Sequence, residues 1–223
     1  MALYMQETLK VAPKLQADYL RHAEAEYLPA ARAAGLRAMG FWRVASFKGE
    51  PSEIVALWEL DDWAAVSRMS GGDPAAEALR RWHEKAGQWV LQRDAMVMRQ
   101  RAHHLEAADR QDMATRFCFH ETMIIQPNKE RDYVLGIETQ LGKSYELQGM
   151  HVVGEFQPAF RSGLVINFWT VAHGFDSIGI MGRQEAEPFF TGAHWMEIAL
   201  ALRTHWRSVW LVPLPIRLEP SRP

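Results

Sequence analysis

The chain reads as an α+β protein built from two consecutive βαββαβ units. Three observations predict this: an internal repeat, the same order of elements in each copy, and sheets that one helix layer covers on only one face. The repeat is the most direct of the three. Met5–Tyr19 lies over Phe119–Tyr133 without a gap and is identical at Glu7/Glu121, Thr8/Thr122, Pro13/Pro127, Asp18/Asp132 and Tyr19/Tyr133. Ordinary composition would give about one chance match in such a window. The same offset of 114, Pro13 to Pro127, also places Gly35 on Gly149 and Gly40 on Gly154. Dropping three residues from the next loop aligns Ile54–Trp58 with Val165–Trp169.

In the first copy Leu3–Val11 alternates as a strand, and Pro13 opens a helix over Lys14–Ala34 that ends at Gly35. Strands follow at Leu36–Phe47 and Glu53–Leu60, joined by the polar turn Lys48–Ser52. Asp73 is an N-cap and Pro74 a first helical residue, so a second helix runs to about Trp89, before a last strand at Leu91–Met98. The second copy repeats this as Phe117–Gln126, Pro127–Gln148, Met150–Phe160, Leu164–Val171, Pro188–Trp210 and Leu211–Ile216. The predicted domains are 1–100 and 116–223, with an Ala-, Arg- and His-rich linker over 101–115. Each is a ferredoxin-like unit whose bare sheet face needs cover, and a second sheet in the same chain can supply it.

Composition narrows the function. Lys and Arg number 25 against 27 Asp and Glu, so no general field draws in nucleic acid or an anionic membrane. One cysteine, Cys118, excludes an intrachain disulfide and a thiolate metal cluster, and fits a reducing cytoplasm. Neither a signal peptide nor a membrane-length apolar run is visible. Nine Trp and ten Phe exceed ordinary packing needs and suit an aromatic-lined pocket for a small aromatic molecule.

The Pro-started helix after the first strand, and Leu57-Trp58-Glu59-Leu60 running into Asp61-Asp62-Trp63, resemble the NIPSNAP family of the dimeric α/β-barrel superfamily. The resemblance covers Leu3–Met98 and extends more loosely to the second copy, which has Trp169-Thr170-Val171-Ala172-His173 in place of the acidic segment. It implies an intrachain dimeric-α/β-barrel assembly. The superfamily includes cofactor-free oxygenases of aromatic polyketides, haem enzymes, lactone isomerases and proteins without known activity, and fold alone does not choose among them.

No nucleotide-binding glycine loop, nucleophile elbow or zinc-protease motif is present. Candidate chemistry rests on strand residues. Glu7 and Glu121 each lie among apolar neighbours at period two, where a carboxylate either finds an arginine or backbone partner or shifts its pKa. His120 and Glu121 face opposite ways, so one of them points into a pocket. His120, Glu121 and His151 are the expected catalytic set, with Asn167, Trp169, Glu155, Trp58 and Glu7 expected to bind substrate. Asn167 stands where the first copy has Ala56, which favours the second copy as the active one. The Arg80–His83 run reads as the solvated edge of a helix, Cys118 as a buried inert thiol, and His194 and His205 as two residues of one helix too far apart to share an ion.

The leading expectation is therefore acid–base catalysis on an aromatic or polyketide-like substrate with lyase, isomerase or oxygenase outcome, and with neither cofactor nor metal. A haem enzyme and a non-catalytic binding or assembly module are the alternatives. Association into a homodimer is compatible with each.

Overall fold

A computed structural model describes residues 3–46, 51–102, 113–141, 146, 149–185 and 191–218. The described residues form two compact units. The first holds residues 3–99, Met113–Thr115 and 212–218, and the second holds 100–102 and 116–211. Most of the expected linker, residues 103–112, lies outside the described residues.

In the first unit, strands β1 (Leu3–Val11), β2 (Leu36–Val44), β3 (Ser52–Leu60) and β4 (Val90–Ala102) lie in the order β4-β1-β3-β2, all antiparallel. In the second, β5 (Phe117–Ile125), β6 (Met150–Pro158), β7 (Leu164–Val171) and β8 (Arg203–Pro213) repeat the order as β8-β5-β7-β6. These are two ferredoxin-like α+β units, the fold class expected from the repeat. Lys14 and Asn128, both just before a helix, take the left-handed φ values 67° and 66°. Gly35 and Gly149, which hold φ of 86° and 70°, supply the same turn ahead of β2 and β6.

The first helix of each unit contains a π segment. α1 (Gln16–His22) passes through Ala23–Tyr27 into α2 (Leu28–Ala33). In the second unit a shorter helix (Glu130–Gly136) runs into Ile137–Leu141, so Tyr27 and Leu141 end equivalent π turns. The first unit then adds α3 (Trp63–Ser70), which the pattern did not reveal, capped by Asp62 accepting from the Ala65 amide at 2.9 Å. α4 (Pro74–Ala86) starts as expected, with the Asp73 carboxylate 2.7 Å from the Ala75 amide. Numbering the second unit's helices onward, α5 is Glu130–Gly136, α6 is Asp176–Glu185 and α7 is Thr191–Leu202.

The end of the second unit differs from the expected helix over Pro188–Trp210 and strand over Leu211–Ile216. Within the described residues the helix ends at Leu202, and Arg203–Pro213 is a strand paired with β5. The Gln126 amide donates to Leu202 O just as the Ala12 amide donates to Trp89 O in the first unit. Sheet pairing therefore ends the helix where no glycine or proline does, and Trp206 and Val209 join the ladder. His205 and Trp206 are strand residues. Beyond β8 the chain returns to the first unit, where Leu214 and Ile216 are buried and the Leu214 amide donates to Phe41 O.

One apolar core fills the space under each helix layer: Met5, Leu9, Trp58 and Trp82 in the first unit, and Phe119, Met123, Trp169 and Trp195 in the second. β2 and β6 each carry a bulge before Gly40 and Gly154. A Cβ at these glycines would meet the Trp42 or Phe156 ring at 2.2 and 2.5 Å, so a large aromatic two residues on needs the glycine. No helix among the described residues is long and apolar enough to cross a membrane.

Candidate functional site

The helix-facing side of the first sheet carries a buried carboxylate. Glu7 lies between Met5 and Leu9 on β1 and is inaccessible to solvent. Its register neighbour on β3 is Ala56, and Trp58, two residues on, reaches back with its indole Nε1 to donate to Glu7 Oε2 at 2.8 Å. Tyr27 Oη donates to the same oxygen at 2.5 Å, while Arg93 approaches Oε1 through Nε at 2.7 Å and Nη2 at 2.6 Å. Four donors on two oxygens offset the desolvation that a lone buried carboxylate would suffer.

Tyr27 is placed by the π turn, a local widening often found at functional sites. Its ring stacks on Trp82 at 5.3 Å, meets Trp58 edge-on at 4.9 Å and meets His83 edge-on at 5.6 Å. Burial first, and then the charge of Glu7, push the Tyr27 phenol well above its usual range, so it stays a donor. His83 comes from the inner side of α4, contrary to the solvated edge expected for Arg80–His83. Arg80 and Arg81 are exposed, Trp82 is buried and His83 is half-buried. Burial, followed by the Arg93 charge, lowers the His83 imidazole to about 4. Its Nε2 is buried without a hydrogen-bond partner among the described residues.

A cavity of about 830 Å³ opens beside this network. Met5, Leu36, Met69 and Leu79 give it an apolar lining, to which Tyr27, His83 and Arg93 add polar groups. At the rim Arg80 is engaged by Glu77 at 2.7 Å and by Glu84. A smaller cavity of about 140 Å³ is also lined by Glu7, Tyr27, His83 and Arg93. The volume, the apolar lining and a few convergent polar groups are those of a small-molecule site.

The second unit carries a different polar set at the equivalent depth. Ser208, Glu121, Asn167 and Glu155 stand abreast across β8, β5, β7 and β6, where the first unit has Ala95, Glu7, Ala56 and Phe41. Trp169 Nε1 donates to Glu121 Oε2 at 2.9 Å, and Asn167 Nδ2 to the same oxygen at 3.3 Å. Burial raises the Glu121 carboxyl despite these donors. Burial and then the Glu138 charge raise Glu155 to about 9. Leu141 and Trp206 stand where the first unit has Tyr27 and Arg93, and Met196 aligns with His83.

The sequence-predicted residues thus divide into separate groups. Glu7 with Trp58, and Glu121 with Asn167, Trp169 and Glu155, lie under the helix layers of their own units. His120 lies on the opposite face of the second sheet, edge-on to Phe168 at 4.7 Å and 3% exposed, and burial lowers its imidazole to about 3. Cys118 shares that face, its thiol raised by burial. His151 is exposed. The bulge between Val152 and Gly154 changes the strand's phase, so His151 and Glu155, four residues apart, do not share a face. His194 has no described side chain, and among the described residues no cluster of three or more His, Cys, Asp or Glu is placed to hold a metal. Sequence reading missed Tyr27, His83 and Arg93. The one signal available for them was Glu7 itself, since a buried carboxylate calls for a cation and donors from neighbouring elements.

No family model matches the chain and no curated protein matches it. Solved structures do. A candidate monooxygenase from Fusobacterium nucleatum superposes with a TM-score of 0.63 at 11% identity over 99% of this chain and 96% of its own. An anthrone oxidase-like protein gives 0.58 at 10% identity over 97% and 93%. A NIPSNAP domain protein from Burkholderia xenovorans, 17% identical, aligns over 47% of this chain and 99% of its own with a TM-score of 0.37. The first two show that the chain shares their fold.

Proposed function

We propose that the first unit is an enzyme that removes a proton from a compact hydroxylated or carbonyl-bearing aromatic molecule without a cofactor, leading to oxygenation of the resulting anion. The observation that carries this reading is the largely apolar cavity with the neutral His83 imidazole and the Arg93 guanidinium in its lining. In this reading His83 accepts the substrate proton. A base whose conjugate acid titrates near 4 is unprotonated throughout the neutral range, and the substrate anion forming beside it favours the imidazolium. Arg93, fixed by Glu7, faces the same cavity and stabilises the anionic oxygen. Tyr27 and Trp58 hold Glu7 and thereby hold Arg93; they do not exchange protons. Dioxygen is the co-substrate. With an anthrone, the kind of substrate named for one structural neighbour, one oxygen atom becomes the new ring carbonyl and the other leaves as water.

The test is oxygen uptake with an anthrone and with 1-naphthol. His83→Ala should lower turnover by about two orders of magnitude or more with little change in melting temperature, and Glu121→Gln should leave it within about twofold. Activity that survives His83→Ala but not Glu121→Gln would move the site to the polar row of the second unit. Uptake by the unaltered protein no faster than the spontaneous oxidation would leave a binding module. Full activity appearing only after haem is added, with a Soret band, would replace the reading by a haem enzyme.

A further inference from the structure

We infer that the first unit has a second small-molecule site, for a monocarboxylate with an apolar body, built where the C-terminal segment crosses the first helix and β2. A cavity of about 360 Å³ lies there, within the size range of ligand pockets. Leu28, Trp58 and Leu218 line it with apolar surface, and Arg32, Arg37 and Arg217 bring three guanidinium groups to it. Against these stand Glu24 in the lining and Glu59, which pairs with Arg37. Of the three arginines, Arg217 brings the positive charge that matches a monoanion. Arg217 is exposed and has no ion pair among the described residues. Guanidinium groups bind carboxylates through paired hydrogen bonds, so the polar end of the ligand is assigned to the arginines and its body to Leu28, Trp58 and Leu218.

Two elements build the site. Its outer wall is the tail that carries Arg217 and Leu218, held by the buried Leu214 and Ile216 and by the Leu214 amide on Phe41 O. Its floor is Trp58, whose indole N–H donates to Glu7, and Leu36 lines both this cavity and the larger one. An occupant therefore perturbs Trp58 without entering the cavity of His83.

Binding can be read without turnover, from the indole N–H signal of Trp58 in a ¹⁵N-labelled full chain titrated with hexanoate. A saturable shift is expected, weakened on the order of tenfold in Arg217→Ala and by less in Arg217→Lys, which keeps the charge but loses the paired hydrogen bonds. Methyl hexanoate, which lacks the charge, and inorganic phosphate, which lacks the apolar body, should both leave the signal in place. No shift with hexanoate, equal affinity in Arg217→Ala, or an equal response to either control overturns the assignment. None of these outcomes depends on His83 or on oxygen uptake, so they leave the catalytic proposal standing or falling by its own test.

Discussion

Glu7 and Glu121 occupy the same register position in two copies of one unit, yet the chain treats them in opposite ways. Glu7 receives an arginine, a phenol and an indole; Glu121 receives an indole and an amide, and its carboxyl titrates upward. A buried acid can stay charged if its neighbours bring a cation and donors, and otherwise it tends toward the neutral form. The first copy keeps a fixed charge that orients Arg93 beside a cavity. The second keeps protonatable groups packed in a row. The difference comes from Tyr27, Arg93 and Ala56 against Leu141, Trp206 and Asn167.

Breaking the charge pair is the largest perturbation of that comparison. Glu7→Gln leaves Arg93 without its partner and should lower unfolding free energy by about 2–3 kcal/mol, the low end for a buried pair because Arg93 is about one-third exposed. Glu121→Gln should change it by less than about 1 kcal/mol, in either direction. Denaturant melts of the two variants measure both; equal losses would show that Glu121, like Glu7, sits in a charge pair.

A second, smaller effect is on pH dependence. Glu155 titrates near 9 in the folded chain against the usual 4.5, so between those values the folded state binds more protons than the unfolded state. Stability from this group is full below about pH 4.5 and is lost progressively as pH rises toward 9. His83 has the opposite sign: its folded value near 4 lies below the usual 6.5, so its contribution falls as pH drops through that window. Glu155→Gln should flatten the alkaline decline, by at most about 1.4 kcal/mol per pH unit, and leave the acid limb alone. An unchanged alkaline slope would mean that Glu155 ionises in the folded chain near its ordinary value.

Much of this arrangement could be read from sequence because it repeats at period two and at one offset. Glu7, Glu121, Trp58, Trp169 and the Ala56-to-Asn167 exchange sit on regular strands, where spacing determines the face. Glu155 was separated from His151 by a bulge, which a period of two does not register. Tyr27, His83 and Arg93 come from a π turn, a helix and a strand whose pairing with β1 depends on tertiary structure; nothing local marks them as neighbours of Glu7. The end of α7 is not marked in the sequence for the same reason, since ladder pairing with β5 rather than a stop residue ends the helix.

The smallest expected effect tests the turn shared by both units. Lys14 and Asn128 hold left-handed φ, which asparagine tolerates better than lysine. Lys14→Gly should stabilise by roughly 0.5–1 kcal/mol and Asn128→Gly by less. Equal changes on thermal melting would indicate that the Lys14 side chain adds a compensating interaction.

The central claim, that ligand chemistry belongs to the first unit, is tested most directly by titrating the isotope-labelled chain with 1-naphthol and following ring signals on both sides of the comparison. The account predicts saturable shifts at Tyr27 and His83 with the Trp169 indole N–H unmoved. A shift at Trp169 with Tyr27 and His83 unchanged would contradict it and assign ligand binding to the row of Glu121, Asn167 and Glu155.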